Sequence, residues 1–221
     1  MDAAAAQARI VDAARQGLEE EGWRGLERAS LLSRSGLEAA ELQRLAPTPL
    51  AALKLVLQHV DAAVLDEGPA DAADAPRDRL FEIMMRRYEA LVPWRAALRR
   101  ISRSLPPPDP FAAVGLALAV ERSMAAMLEA AGISPAGLAG ALRVRGLGLV
   151  HAAVLRVFLD DDTVDLAHTM KALDQRLRQA EGMAAFLNQF DRFPRTAAKE
   201  MGSDMHPDST GEAARNPQQN P

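Results

Sequence analysis

The chain of 221 residues has no cysteine, so disulfides and thiolate chemistry are excluded and a reducing compartment is allowed. Aromatic residues make up only 4%, against 48% hydrophobic residues in all, so Leu, Ala, Val and Met must fill the core. β-branched residues are few. An Ala/Leu/Arg/Glu-rich mixture of this kind favours helix over strand, and the expected fold class is all-α. No basic segment followed by an apolar run opens the chain, so no signal peptide is expected. Arg143, Arg145 and Arg156 break one apolar stretch, and Glu121 and Arg122 break another, before either reaches the roughly 18 residues of a membrane span. The expected location is cytoplasmic. A net charge of −4 gives the whole chain no general attraction for polyphosphate.

What is present is a series of amphipathic helices divided by glycine and proline. Ile10, Val11, Ala14, Leu18 and Trp23 recur at helical spacing before Gly22. A short helix over Leu26–Ser33, a Ser35-Gly36 corner and a third helix over Leu37–Leu45 follow. Pro47-Thr48-Pro49 ends the third helix and starts a long fourth one, with Leu50, Leu53, Leu57, Val60 and Val64 on one face. Gly68–Ala75 reads as a linker. Helices are then expected from Pro76, after Pro93 to Ser104, over Phe111–Ala131, over Ala136–Leu159 with a Ser134 cap and Pro135 at its first position, and from Val164 to about Phe190. The chain divides accordingly into a helix-turn-helix head (1–48), a helical body (49–190) and a polar, disordered tail (191–221).

The head carries a resemblance. "RIVDAARQGLEEEGWRGL" followed by "SRSGLEAAELQRLAPTPLAAL" resembles the TetR family of transcriptional regulators, which join a three-helix DNA-binding head to a helical ligand-binding and dimerisation body. Gly36, Leu37 and Leu42 keep the pattern of that family's turn and recognition helix. Gln43 stands in place of its Tyr, Ala46 of its Phe and Pro49 of its Lys, and Glu38 replaces a small capping hydroxyl. The resemblance implies a DNA-contacting set of Arg24, Arg28, Arg34, Glu38, Ala39, Glu41, Gln43 and Arg44. Glu38 and Glu41 can serve there only by accepting from cytosine amino groups. Residues 1–50 hold six arginines against eight carboxylates, so the head is mildly acidic, and Arg24, Arg28, Arg34 and Arg44 are either phosphate contacts or ordinary solvated arginines.

Near the other end, "DDDTVDLAHTMKALDQRL" is similar to the C-terminal signature of the TetR-like accessory proteins of ubiquinone biosynthesis, which bind lipid rather than DNA. Asp161, Thr163, Thr169, Leu173, Asp174 and Arg176 match in spacing, and Met170 and Ala172 stand for two aromatics. This second resemblance implies a lipid or isoprenoid carrier as the alternative function.

The body would bind a small apolar ligand, with Phe81, Met84, Met85, Tyr88, Trp94, Leu98, Phe111, Leu118, Met124, Met127 and Leu128 as candidate lining or, on the simpler reading, plain core. Apolar stripes on the last two long helices (Leu142, Leu149, Val150 and Val154; Leu166, Met170, Leu173 and Leu177) suit a homodimer interface. Met183, Phe186, Leu187 and Phe190 form a shorter stripe suited to packing on the bundle. His151 and His168 read as packing residues. No paired histidines at ligand spacing, no phosphate loop and no nucleophile elbow occur, so neither a metal, a cofactor nor an enzymatic activity is expected.

Overall fold

A computed structural model of the chain describes residues 2–104 and 110–190, with side chains over 2–103 and 114–182. The expected tail and the Met183–Phe190 stripe, like the side chain of Phe111, lie outside the described side chains. The described residues contain helices and no strand. In order these are α1 (Ala3–Glu21), a 3-10 turn (Gly22–Leu26), α2 (Arg28–Ser35), α3 (Ala39–Leu45) and α4 (Pro49–Leu65), then α5 (Pro76–Leu91), a short 3-10 turn (Val92–Trp94), α6 (Arg95–Ser104), α7 (Pro110–Ala130), α8 (Gly137–Asp160) and α9 (Ala167–Phe190).

The head is built on α1. Its i, i+3, i+4 positions bury Ile10, Val11, Ala14 and Leu18 against Leu26, Leu31 and Leu42. The second helix starts two residues later than the sequence suggests, because Gly22–Leu26 is a 3-10 turn that lies backbone to backbone on α1. A Cβ on Gly25 would sit 2.0 Å from the carbonyl carbon of Gly17. Gly36 takes the left-handed conformation (φ 59°, ψ 24°), and its N–H donates to the Leu32 carbonyl at 3.1 Å, which closes α2 and turns the chain into α3. Thr48 caps α4 by accepting from the Ala51 N–H at 3.1 Å, with Pro49 in the first turn. α3 and α4 meet at 68°.

α1 packs against α6 and α4, and α4 packs against α7 and α5, so head and body share one compact unit through Gly182. Gly68–Ala75 is fastened rather than free. The Ala70 N–H donates to the Ala130 carbonyl at 3.2 Å, the Arg79 Nε to the Ala131 carbonyl at 2.8 Å, and an Arg86 guanidinium nitrogen to the Gly68 carbonyl at 2.8 Å. The N-cap position of α8 is Ala136 instead of Ser134, whose Oγ accepts from the Ala136 N–H at 3.2 Å just ahead of the helix; Pro135 therefore precedes the helix. α8 is also long and apolar enough by itself to cross a membrane, despite its arginines; in the fold it packs on α7 and α6.

The corner before α9 organises around a buried carboxylate. Asp161 is 1% exposed, and its Oδ2 accepts from both the N–H and the hydroxyl of Thr169, each at 2.7 Å. Its Oδ1 accepts from the Thr163 N–H and hydroxyl, while the Thr163 Oγ1 accepts from the Ala167 N–H at 2.9 Å. Together these bonds satisfy first-turn donors of α9. Burial pushes the Asp161 carboxyl up, but the hydrogen bonds from Thr163 and Thr169 outweigh it and hold the group below the ordinary carboxylate range. A depressed folded-state pKa contributes stability that is fully present above the unfolded pKa of about 4 and is lost progressively as pH falls from there through the folded value. Acid titration of stability should therefore show a loss below pH ~4 that Asp161→Asn largely removes, at a cost of about 1–3 kcal/mol near neutral pH. Urea midpoints at a series of pH values read both effects, and an unchanged acid limb in the variant counts against the network.

Candidate functional site

The first candidate surface is the outer face of α3. Leu42 and Ala46 turn inward with Leu37, whereas Glu38, Ala39, Ala40, Gln43 and Arg44 are exposed. A seven-residue helix cannot bury all its sides, so a helix-turn-helix leaves this face for a partner. Its charge is not that of a phosphate-binding ridge. Glu38 stands at the helix start without a side-chain cap bond, and Glu41 lies 3.9 Å from Arg44.

The arginines behind this face are largely engaged. Arg34 ion-pairs with Glu20 at 2.7 Å and Glu21 at 2.5 Å, and its Nε donates to the Ser30 Oγ at 3.2 Å. Arg28 donates to the Gln43 Oε1 and to the Ala39 carbonyl. Thus Gln43 is held by Arg28 through its acceptor, and Arg34 is tied to the acidic end of α1. Arg24 is exposed and forms no ion pair among the described residues. The structure gathers Arg28, Ala39 and Gln43 into one contact, leaves Arg44 solvated, and sets Arg34 apart.

The second candidate is the body interior. Met84, Tyr88, Met124 and Met127 are fully buried, and Met85, Trp94 and Leu128 nearly so. Phe81 and Leu98 pack on this core from its edge, and Leu118 is half exposed. All of these buried side chains belong to one hydrophobic cluster.

Tyr88 stands between Phe158 and His151, with ring centroids 5.5 and 5.6 Å away. Its hydroxyl lies 3.0 Å from the His151 Nδ1 and 3.3 Å from the His151 carbonyl oxygen. Burial, helped by the positive charge of Arg87, pushes His151 down to about 3, so the imidazole is neutral at ordinary pH. The Arg95 guanidinium lies over the Phe158 ring, 4.6 Å from its centroid. His151 is therefore a hydrogen-bonded core residue. His168 is exposed, with Nδ1 3.3 Å from Asp161.

Two clefts open on the body surface. One lies between α4 and α7, with a volume of about 110 Å³ and walls that include Lys54, Gln58, Asp61, Arg122 and Ser123. The other, about 350 Å³, lies between α7 and α8 and includes Leu118, Ala125, Ala141 and Val144. Of the described members of the ligand-lining set, only Leu118 borders either cleft.

Beneath the first cleft is a polar triad that the sequence reading missed. Asp61 pairs with Arg87, which is 1% exposed, and accepts from the Ser123 hydroxyl at 2.6 Å. The signal was present. Arg87 falls on the stripe Leu80, Ile83, Met84, Tyr88 and Leu91, and Ser123 beside Met124 and Met127. A polar residue on an apolar stripe needs a buried partner.

The dimer-interface set divides. Val150, Val154, Leu166, Leu173 and Leu177 are buried in this chain's own core, because α8 and α9 turn these positions toward the bundle. Leu142 and Leu149 are 61% and 74% exposed, and Met170 is 41% exposed. Leu138, which the sequence reading omitted, lies on the same side of α8 as Leu142 and Leu149 and is 82% exposed.

No protein-family model matches the sequence, and no curated protein sequence matches it. Among solved structures, the fold is similar to that of a TetR transcriptional regulator from Rhodococcus sp. RHA1. The TM-score is 0.55 over 78% of this chain and 96% of that one, at 19% sequence identity. The helix order, the glycine turn before an exposed α3 and this likeness give the chain its place: its fold is all-α and TetR-like, with a three-helix helix-turn-helix head on a helical body.

Proposed function

We propose that the protein is a cytoplasmic, ligand-responsive transcriptional regulator that binds DNA as a homodimer. The carrying observation is the Gly36 turn, which leaves one face of α3 uncovered while Leu37, Leu42 and Ala46 anchor the other. In a TetR-like fold that face is the part offered to a DNA major groove. The exposed leucines of α8 (Leu138, Leu142, Leu149) supply apolar surface for a second copy. Two heads then address half-sites about one helical turn apart, and α4, which joins α3 to the body, transmits a ligand-induced shift in their separation.

A second reading is favoured by the carboxylates. Glu38 and Glu41 on the presented face, and the tying of Arg34 to Glu20 and Glu21, suit a chain that has kept the fold and carries a lipid or isoprenoid instead of reading DNA.

Selection of host genomic fragments on the purified protein separates the two. The regulator should retain discrete fragments at low salt. If Arg24, Arg28 and Arg44 of both heads meet phosphates, log affinity should fall against log salt with a slope of about −5. No retained fragment, together with a lipid-sized mass in native mass spectrometry, establishes the carrier.

A further inference from the structure

Lys54 on α4 and Arg122 on α7 share the 110 Å³ cleft, and neither forms an ion pair among the described residues. The cleft's own carboxylate, Asp61, does not serve the two cations, because its charge is committed to the buried Arg87 on α5 and its Oδ1 also accepts a hydrogen bond from the Ser123 hydroxyl. Arg87 in turn keeps a buried Nε with no acceptor. The site therefore carries two uncommitted positive charges above an already neutralised pair. Lys54 is half-buried and Arg122 is exposed at the cleft's edge, and an anion seated between them meets both charges.

We propose that this cleft binds a small metabolite through its oxyanion, a carboxylate or a phosphate. The Arg122 guanidinium offers a planar pair of donors, Lys54 a point charge and Gln58 an amide N–H. The Ser123 hydroxyl, donating its hydrogen bond to Asp61, keeps its oxygen as an acceptor for a hydroxyl or ammonium beside the oxyanion. The cleft's volume of about 110 Å³ suits a compact head group.

The consequence for DNA rests on the regulator reading. Lys54 lies in the second turn of α4, the helix that follows α3, so an anion held by Lys54 and Arg122 fixes α4 against α7. The binding itself does not depend on that reading.

The test uses the full chain in chloride buffer at constant ionic strength. It is titrated with sodium phosphate and, separately, with sodium acetate, while the backbone amide resonances of Lys54, Gln58 and Ser123 are followed. At least one anion should shift these resonances saturably. Lys54→Met and Arg122→Met should each weaken it about tenfold, the loss of one charge-assisted contact. Lys54→Arg should largely retain binding, and Arg143→Met on α8 should leave it unchanged. Saturation by phosphate alone assigns a phosphate ligand, and by acetate alone a carboxylate. Absence of saturable shifts with both anions overturns the proposal, as does equal binding by the Lys54→Met/Arg122→Met double variant. No DNA is present, so this failure is separate from a failure of fragment retention.

Discussion

Asp61→Ala is expected to cost about 3–5 kcal/mol of folding stability, because it removes the charge partner of a guanidinium that water cannot reach. Arg87 is 1% exposed and sits beside fully buried Met84 and Tyr88. Its Nε already lacks an acceptor, so without Asp61 the cation has no carboxylate to compensate its desolvation. The Ser123 hydroxyl loses its acceptor at the same time.

Urea unfolding followed by circular dichroism reads the effect as a fall in midpoint at nearly constant slope. The decisive comparison adds Arg87→Met to Asp61→Ala. If the uncompensated charge is the cause, the double variant recovers much of the loss, since an apolar side chain of similar length can occupy the same space. A single-variant loss below about 1 kcal/mol, or no recovery in the double, would show that water or a moving side chain rescues Arg87.

Gly25→Ala should be comparably severe for a different reason. The added methyl would lie 2.0 Å from the carbonyl carbon and 2.1 Å from the carbonyl oxygen of Gly17. Both are main-chain atoms within a helix turn and cannot rotate aside, so the 3-10 turn must lift from α1. Overpacking in a core costs typically 1–3 kcal/mol, and a backbone-to-backbone clash belongs at or above the upper end. At about 3 kcal/mol, a chain of this size should lose roughly 6–12 °C in Tm.

Gly17→Ala, whose methyl would lie 2.5 Å from the Gly25 carbonyl oxygen, should fall on the same side. Gly146→Ala supplies the opposite sign. It lies within α8 with nothing near its Cβ position, and the change should stabilise by about 0.5–1 kcal/mol. Differential scanning calorimetry of the three variants measures the contrast, and a neutral Gly25→Ala would mean that the two backbones are not in contact.

The helices were legible because their determinants are local. Apolar positions recur every three or four residues along α1 and α4, Pro49 sits in the first turn of α4, and Gly36 marks a corner that other residues enter only with strain. Boundaries moved where a distant segment intervened. α2 begins late because the Gly22–Leu26 turn is pressed onto Gly17, and Gly68–Ala75 is strapped by Arg79 and Arg86 from α5. The assignment of Met84, Met124 and Met127 to a cavity could not be made from periodicity. A core position and a ligand-lining position share one spacing and differ only in whether space remains between them.

Charge pairing divides in the same way. The acidic balance of the head could be counted from the chain, but that Arg34 turns to Glu20 and Glu21, and Arg28 to Gln43, depends on how α2 crosses α1 and α3.

Composition and period alone determined an all-helical chain, the place of its helix-turn-helix corner and which side of each long helix is apolar, because these follow from backbone propensity and near-neighbour geometry. Only the tertiary structure decided which polar residues pair inside the body, which leucines of α8 stay outside, and that Lys54 and Arg122 come together. Those outcomes depend on contacts between residues far apart in the chain, whose positions are set by how whole helices pack.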